Sequence, residues 1–243
     1  MNTHFLFDVD GTLTPPTQKM DSSFLMSFLR WMSDKRVFLV AGGNYENIKR
    51  QIPASILSRT HGVFCSMANE FWMGDKQIYK NHWEPDSRLL DFLTIKQQYT
   101  SFGLEAKWGE PRKNIDIRPG MLNFSIIGRN AGIQERTKYY KWDLKNKERK
   151  DIAKSVEMRF PDLDVRIGGQ ISLDIYPKGN DKSQASRWVR QNIKGKIVFL
   201  GDKCEEGGND YDIVVDIKKH KCDNYHNVKN YKETLKILQG KYE

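Results

Sequence analysis

Phe7-Asp8-Val9-Asp10-Gly11-Thr12-Leu13-Thr14 sets two carboxylates two residues apart, where the short apolar stretch His4 to Phe7 runs out. If His4–Asp8 is a buried strand, side chains at i and i+2 leave its end on the same side. Two carboxylates held so close repel unless a cation or a proton lies between them. Hard oxygen donors of this kind suit Mg²⁺. Gly11 permits a tight turn and a close approach of backbone to a phosphate. Taken alone, Asp-x-Asp also fits a solvated acidic turn after an edge strand. The whole octapeptide, following an apolar strand, favours the chemical reading.

Working outward, Asp21–Lys35 is expected to be an amphipathic helix. Asp21 is its N-cap, and Phe24, Leu25, Phe28, Leu29 and Met32 form its apolar face. Arg36–Ala41 reads as a second buried strand ending in Gly42-Gly43. Asn44–Gln51 reads as a helix stopped by Pro53, and Gly62–Ser66 as a third strand. This βαβαβ order predicts a parallel sheet with helices on both faces.

The middle of the chain changes character. Arg88–Phe102 reads as a helix, and Ile115–Arg118 and Met121–Ser125 as a hairpin turning at Pro119-Gly120. Ile133–Phe160 reads as two helices broken near Asn146. Val165–Ile167 and Ser172–Tyr176 are two further strands around Gly168-Gly169. From Asp181 the alternation resumes, with helix Lys182–Gln191, strands Lys196–Leu200 and Asp212–Asp216, and a last helix over Tyr231–Leu238. The expected fold class is α/β. A Rossmann-like parallel-sheet core over 1–80 and 181–243 is split by an inserted α+β cap over 81–180.

Composition narrows the function classes. A chain of 243 residues is long enough for a core and an inserted domain. No apolar run approaches the roughly 20 residues needed to cross a bilayer. Asp8 and Asp10 interrupt the N-terminal apolar stretch, which does not read as a signal peptide. Cys65, Cys204 and Cys222 are odd in number and widely spaced, without a zinc or disulfide pattern, so a reducing, cytoplasmic location is expected. The net charge of +9 fits a nucleic-acid partner, an anionic small substrate, or a merely solvated lysine-rich surface. Lys138, Lys141, Lys145, Lys147 and Lys150 fall at mixed spacings, without the aromatic interleaving of a single-strand binding platform, so nucleic acid ranks last.

The octapeptide resembles the first motif of the haloacid dehalogenase superfamily. In that family the first Asp attacks a phosphoryl group, and the second protonates the leaving group and later activates the incoming nucleophile. The resemblance assigns these roles to Asp8 and Asp10, as covalent and general acid–base catalysis. Gly179-Asn180-Asp181-Lys182 looks like the family's lysine motif, which makes Lys182 the group that neutralises charge on Asp8 and the phosphate. Phe199-Leu200-Gly201-Asp202-Lys203, followed by Gly207-Gly208-Asn209-Asp210, resembles its metal-binding motif. The implied Mg²⁺ ligands are Asp8, Asp10 and Asp202, with Asn209 and Asp210 supporting the loop. Outside this frame, a helix-opening lysine is usually solvated, and a Gly-rich acidic turn is usually structural.

Two cap stretches carry a narrower resemblance. Arg118-Pro119-Gly120-Met121-Leu122-Asn123-Phe124-Ser125-Ile126-Ile127-Gly128-Arg129 looks like RNGMLNVSPIGR of the eukaryotic-type phosphomannomutases. Gln134-Glu135-Arg136 follows at the matching distance, and Gly168–Pro177 looks like GGQISFDVFP. The resemblance implies that Arg118, Arg129 and Arg136 bind the distal phosphate of a hexose phosphate, and that Ser172 and Asp174 hold sugar hydroxyls. Guanidinium forks match phosphate oxygens, although any one of these arginines alone reads as a surface charge. The implied activity interconverts mannose 6-phosphate and mannose 1-phosphate, in support of GDP-mannose synthesis. A hexose bisphosphate activator phosphorylates Asp8, and cap closure keeps water off the aspartyl-phosphate. The expected partners are a hexose monophosphate and, through the cap, a second copy of the chain; a membrane is not expected.

Three departures from the family pattern stand out. Thr17 occupies a position where the family has an arginine. Asn44 follows Gly42-Gly43 where the family has a serine, and Met67-Ala68-Asn69-Glu70 replaces its Glu-Asn-Gly. The family's second, structural cation site maps near Val214, Asp216 and Lys219, where the lysine argues against a cation. A sugar-phosphate phosphatase on the same fold shares the first half-reaction and is the nearest alternative.

Overall fold

The computed structural model describes residues 2–103 and 113–243. The chain divides into two compact units, Met1–Asn81 with Gly179–Glu243, and His82–Lys178. The first unit contains β1 (Thr3–Phe7), α1 (Ser22–Trp31), β2 (Arg36–Val40), α2 (Tyr45–Gln51), the single-turn α3 (Ala54–Leu57), β3 (Gly62–Cys65), β4 (Glu70–Met73) and β5 (Lys76–Lys80). The second holds α4 (Ser87–Gln98), β6 (Ile115–Arg118), β7 (Met121–Ser125), α5 (Ile133–Asn146), α6 (Glu148–Arg159), β8 (Leu163–Gly168) and β9 (Ser172–Pro177). The chain then returns to the first unit with α7 (Ser183–Asn192), β10 (Lys196–Gly201), α8 (Tyr211–Lys218), β11 (Asn224–Asn227) and α9 (Tyr231–Lys241).

The first unit is built on a seven-stranded sheet of order β11-β10-β1-β2-β3-β4-β5. It is parallel from β11 to β3, and an antiparallel hairpin, β4–β5, extends it. Successive residues of β1 pack on opposite sides: Phe5 and Phe7 join Phe24, Phe28 and Leu238, while Leu6 joins Phe38, Val189 and Ile213. The sheet is thus buried on both faces, which is why its central strands are continuously apolar. Asp21 caps α1 by accepting from the Ser23 and Phe24 amides, an interaction of about 1 kcal/mol. A single 3₁₀ turn, Met32–Asp34, ends that helix four residues earlier than its sequence pattern suggests.

One element differs in kind from its sequence reading: the stretch expected as strand Asp212–Asp216 lies within helix α8. Ile213, Val214 and Val215 favour a strand by local preference. Ile213, Val214 and Ile217 nevertheless bury against the sheet at helical spacing. The sheet position beyond β10 is taken instead by Asn224–Asn227, whose polar sequence carries no strand signal. Tertiary packing overrides propensity here.

In the second unit, β6-β7-β9-β8 form an antiparallel sheet. Leu122, Phe124, Leu163, Val165, Leu173 and Ile175 bury one face against Leu89, Leu93, Tyr139, Ile152 and Val156 of the helices. Alternation along the strands then places Asp116, Asn123, Ser125, Ser172 and Asp174 on the opposite face. The break between α5 and α6 falls at Lys147, whose φ of 59° ends one helix before the next begins. Buried Arg149 pairs with buried Asp143 across this break, and its guanidinium donates to the carbonyls of Gly168 and Gly169.

Among the described residues, no helix is long and apolar enough to cross a membrane. The three cysteines are free thiols.

Candidate active site

Parallel pairing of β1 with β10 sets Phe7 beside Leu200, so the loops that follow the two strands emerge together. Asp8 opens the first loop, and its amide donates to the Leu200 carbonyl at 2.9 Å. Asp202 and Asp210 belong to the second. Asp8, Asp202 and Asp210 each offer a carboxylate oxygen within 4.8 Å of the others. Gly11, at φ +87°, has no room for a side chain: a Cβ there would lie 2.6 Å from Asp202 Cγ. The glycine of the octapeptide is thus what lets the two loops approach.

Lys182, fully buried at the start of α7, reaches into this acidic group. Its Nζ lies 2.5 Å from Asp8 Oδ1 and 2.7 Å from Asp210 Oδ1. Asp210 Oδ2 accepts from the Lys203 amide at 3.1 Å, so both oxygens of Asp210 are committed to holding the loop and the lysine. Burial alone would favour a neutral Lys182; the carboxylates of Asp210 and Asp8 outweigh it and hold the ammonium form above its usual range. Burial raises Asp8 well above the ordinary carboxylate range, Lys182 opposes the shift, and Asp210 and Asp202 add to it. Burial also raises Asp202, to about 6. Clustered carboxylates with raised pKa values are an anionic oxygen donor set in want of a cation, and Asp8 and Asp202 fit Mg²⁺ on that ground.

Asp10 does not share this group. Its Oδ1 accepts from the Thr17 amide at 2.6 Å and from Gln51 Nε2 at 3.0 Å. Asp210 completes the acidic cluster, while Asp10 lies near enough for its charge to help raise Asp202 and is oriented by its two donors. Gln51 was invisible in the sequence because only the fold brings the end of α2 to Asp10. Asn69, within the stretch that departs from the family pattern, makes long-range contacts of its own. Its Nδ2 donates to the carbonyls of Ser66 and Asn180, and its Oδ1 accepts from Asn81. It thereby ties the loop after β3 to the segment that carries Lys182. That loop runs through Ser66, Met67 and Ala68 at φ 51°, 58° and 63°, a left-handed run that non-glycine residues rarely adopt.

In the second unit the three arginines singled out in the sequence converge. Arg118 Nη2 lies 2.8 Å and Arg129 Nε 3.3 Å from the same oxygen, Asp116 Oδ2. Arg136 donates through Nη2 to the Arg129 carbonyl at 2.6 Å and through Nε to that of Ala131 at 2.9 Å. Burial and the neighbouring Arg118 lower the pKa of Arg129, Asp116 and Asp174 oppose the shift, and Arg136 adds to it. Asp116 had a signal in the sequence, since it stands two residues before Arg118 on an alternating strand. Asp174 is buried, and Gly168, in register with Ser172, leaves it room: a Cβ there would lie 2.6 Å from Asp174 Oδ2 and 3.3 Å from Ser172 Oγ.

The model of the eukaryotic phosphomannomutase family matches residues 25–243. The chain belongs to that family. It is 32% identical to phosphomannomutase 1 of Dictyostelium discoideum over 224 residues, covering 88% of each chain. It is 32% identical to the phosphomannomutase of Drosophila melanogaster over 244 residues, covering 96% of this chain and 92% of that one. Among solved structures, a haloacid dehalogenase-like hydrolase from Bacteroides thetaiotaomicron aligns with a TM-score of 0.59 at 14% identity, covering 98% and 99% of the two chains. The haloacid dehalogenase fold, with its inserted α+β unit, is therefore shared well beyond the phosphomannomutases.

The departures from the phosphomannomutase pattern have structural roles of their own. Asn44 Oδ1 caps α2 by accepting from the Asn47 amide at 3.0 Å. Thr17 is exposed and offers its backbone, not its side chain, to Asp10. Asp216, where the family's second cation site maps, accepts from Ser186 Oγ at 2.5 Å and from Arg190 Nη1 at 2.6 Å. A guanidinium and a hydroxyl already satisfy that carboxylate, so these residues do not fit a bound cation.

Proposed function

We propose that the chain is a phosphomannomutase that interconverts mannose 6-phosphate and mannose 1-phosphate through an aspartyl-phosphate on Asp8. The observation that carries this reading is the buried Lys182–Asp8 contact within an acidic cluster, in a chain whose relatives are phosphomannomutases. In this proposal Asp8 Oδ attacks the phosphorus of a hexose bisphosphate, a bond forms from carboxylate oxygen to phosphorus, and the sugar oxygen leaves. Asp10 gives that oxygen a proton. In the return step Asp10 takes the proton of an incoming sugar hydroxyl as that oxygen takes the phosphoryl group. Lys182 offsets the negative charge gathered at Asp8, as fixed charges do in catalytic sites. Asp8 and Asp202 would hold Mg²⁺, which would supply further charge neutralisation at the transferring phosphoryl group. Arg118, Arg129 and Arg136 bind the phosphate that is not transferred, and Ser172 and Asp174 bind sugar hydroxyls. The mannose 1-phosphate so formed would serve GDP-mannose synthesis. A cap-mediated dimer belongs to the same proposal, supported by the exposed Ile117 on the edge strand β6.

A sugar-phosphate phosphatase is the second reading, favoured by the threonine at position 17. The deciding experiment supplies mannose 1-phosphate with and without a hexose bisphosphate, and scores mannose 6-phosphate and inorganic phosphate in parallel. Bisphosphate-dependent isomerisation supports the mutase. Stoichiometric release of phosphate without isomerisation assigns the chain to the phosphatases.

A further inference from the structure

Asp116, Asn123 and Asp174 form one row across β6, β7 and β9. Asp116 is in register with Asn123, and Asn123 with Asp174. Register partners lie on the same face of a sheet, here the face opposite the helices. Asn123 is buried at the centre of the row. Its Nδ2 donates to Asp174 Oδ1 at 2.7 Å, and its Oδ1 accepts from Arg129 Nη1 at 2.6 Å. A carboxylate has no proton to donate and a guanidinium has no lone pair to accept with, so only one orientation of the amide serves both neighbours. Arg129 is held again by Asp116 Oδ2 through its Nε.

We propose that Asn123 is a positioning residue that fixes Arg129 relative to Asp174, and so sets the spacing between phosphate and hydroxyl that the cap accepts. This rests on the reading that Arg129 binds the distal phosphate and Asp174 a sugar hydroxyl. Both hydrogen bonds engage an ionised partner, which makes them stronger than neutral ones. No other residue type of this size supplies a donor and an acceptor in fixed opposition. Asp accepts from Arg129 but repels Asp174. Leu fills the volume and serves neither. A ligand whose phosphate and hydroxyl match the fixed spacing binds both groups without reorganising them, and a small phosphate ester without hydroxyls takes no benefit from it. Asn123 therefore acts on selectivity for a hexose phosphate, and it does so without contacting the transferred phosphoryl group.

The test compares Asn123→Leu and Asn123→Asp with the parent protein on mannose 1-phosphate and on p-nitrophenyl phosphate, with Arg129→Ala alongside. KM for mannose 1-phosphate is expected to rise about tenfold or more in both Asn123 variants, the effect of losing a hydrogen bond to a charged group. The loss in kcat/KM should be at least about tenfold smaller on p-nitrophenyl phosphate, and Asn123→Leu combined with Arg129→Ala should cost less than the two separate losses together. Asn123→Asp keeps the size and polarity of the site and decides the matter alone if Asn123→Leu does not fold. Unchanged KM in a folded Asn123 variant, or equal losses on the two substrates, would overturn the proposal. If Arg129→Ala also leaves KM for mannose 1-phosphate unchanged, the cap reading itself fails. If Arg129→Ala raises KM while the Asn123 variants do not, only this inference fails.

Discussion

The backbone amide of Thr17 donates to Asp10 Oδ1 at 2.6 Å, with Thr17 at a φ of 60°. A β-branched residue in the left-handed region is strained, at about 1–3 kcal/mol. The site spends that strain on aiming an N–H at the proposed acid–base carboxylate. Because the backbone makes the contact, the side chain is free to change. Thr17→Gly should raise the unfolding free energy by roughly 1 kcal/mol with activity retained. Thr17→Arg should keep the contact and add the charge found in the family pattern. It should raise the ratio of isomerised product to free phosphate, within the 0–1 kcal/mol or so that one exposed ion pair contributes. Thr17→Pro removes the donor and cannot hold a φ of 60°, so it should lose most turnover. A Thr17→Pro protein as active as the parent would show that this contact does not matter.

Lys182 is buried with two carboxylates as partners. Removing one member of a buried ionic group leaves the remaining charges uncompensated, which typically costs about 3–5 kcal/mol. Lys182→Met should therefore lower stability in metal-free buffer by that order and abolish turnover. Adding Mg²⁺ should recover part of the stability but not the activity. Urea unfolding with and without Mg²⁺ measures this, and a Lys182→Met protein as stable as the parent would contradict it.

The raised carboxylates predict how Mg²⁺ binding follows pH. Burial lifts Asp202 from the ordinary carboxylate value to about 6. Between those values the folded chain holds a proton that the unfolded chain has lost. Its metal-free stability accordingly falls as pH rises through this window. Mg²⁺ binds the deprotonated carboxylates, so the increase in Tm on adding it should be small near about pH 5 and larger near about pH 7.5. The same increase at both pH values would mean that Asp202 is not a ligand.

The sequence made the centre of the site legible because its signals are local. Asp8 follows an apolar strand, Gly11 has the spacing of a turn, and Lys182 and Asp202 each follow a recognisable boundary. What it hid depends on distant packing. Ile213–Val215 carries strand propensity, yet its burial pattern is helical once α7 and the sheet lie beside it. Asn224–Asn227 has no apolar alternation and becomes a strand because β10 leaves an edge to pair with. Gln51 reaches Asp10 across 41 residues of chain, and Asn123 reaches Asp174 across 51, distances over which no periodicity reports. Asp10 illustrates the limit differently. Its spacing from Asp8 is read directly from the sequence, whereas the donors that orient its carboxylate, the Thr17 amide and Gln51 Nε2, are not.

Asp8 is the proposed carrier of the phosphoryl group. The most direct test mixes the protein with Mg²⁺ and a hexose bisphosphate, quenches in acid, and maps the phosphorylated peptide by mass spectrometry. Mannose 1-phosphate is added to a parallel sample before the quench. One phosphoryl group is expected on Asp8 and absent from Asp8→Asn; it should pass to mannose 1-phosphate to give mannose 1,6-bisphosphate, which returns its other phosphoryl group to Asp8 as mannose 6-phosphate leaves. A phosphoryl group on another residue, or isomerisation by a folded Asp8→Asn protein at the parent rate, would contradict it.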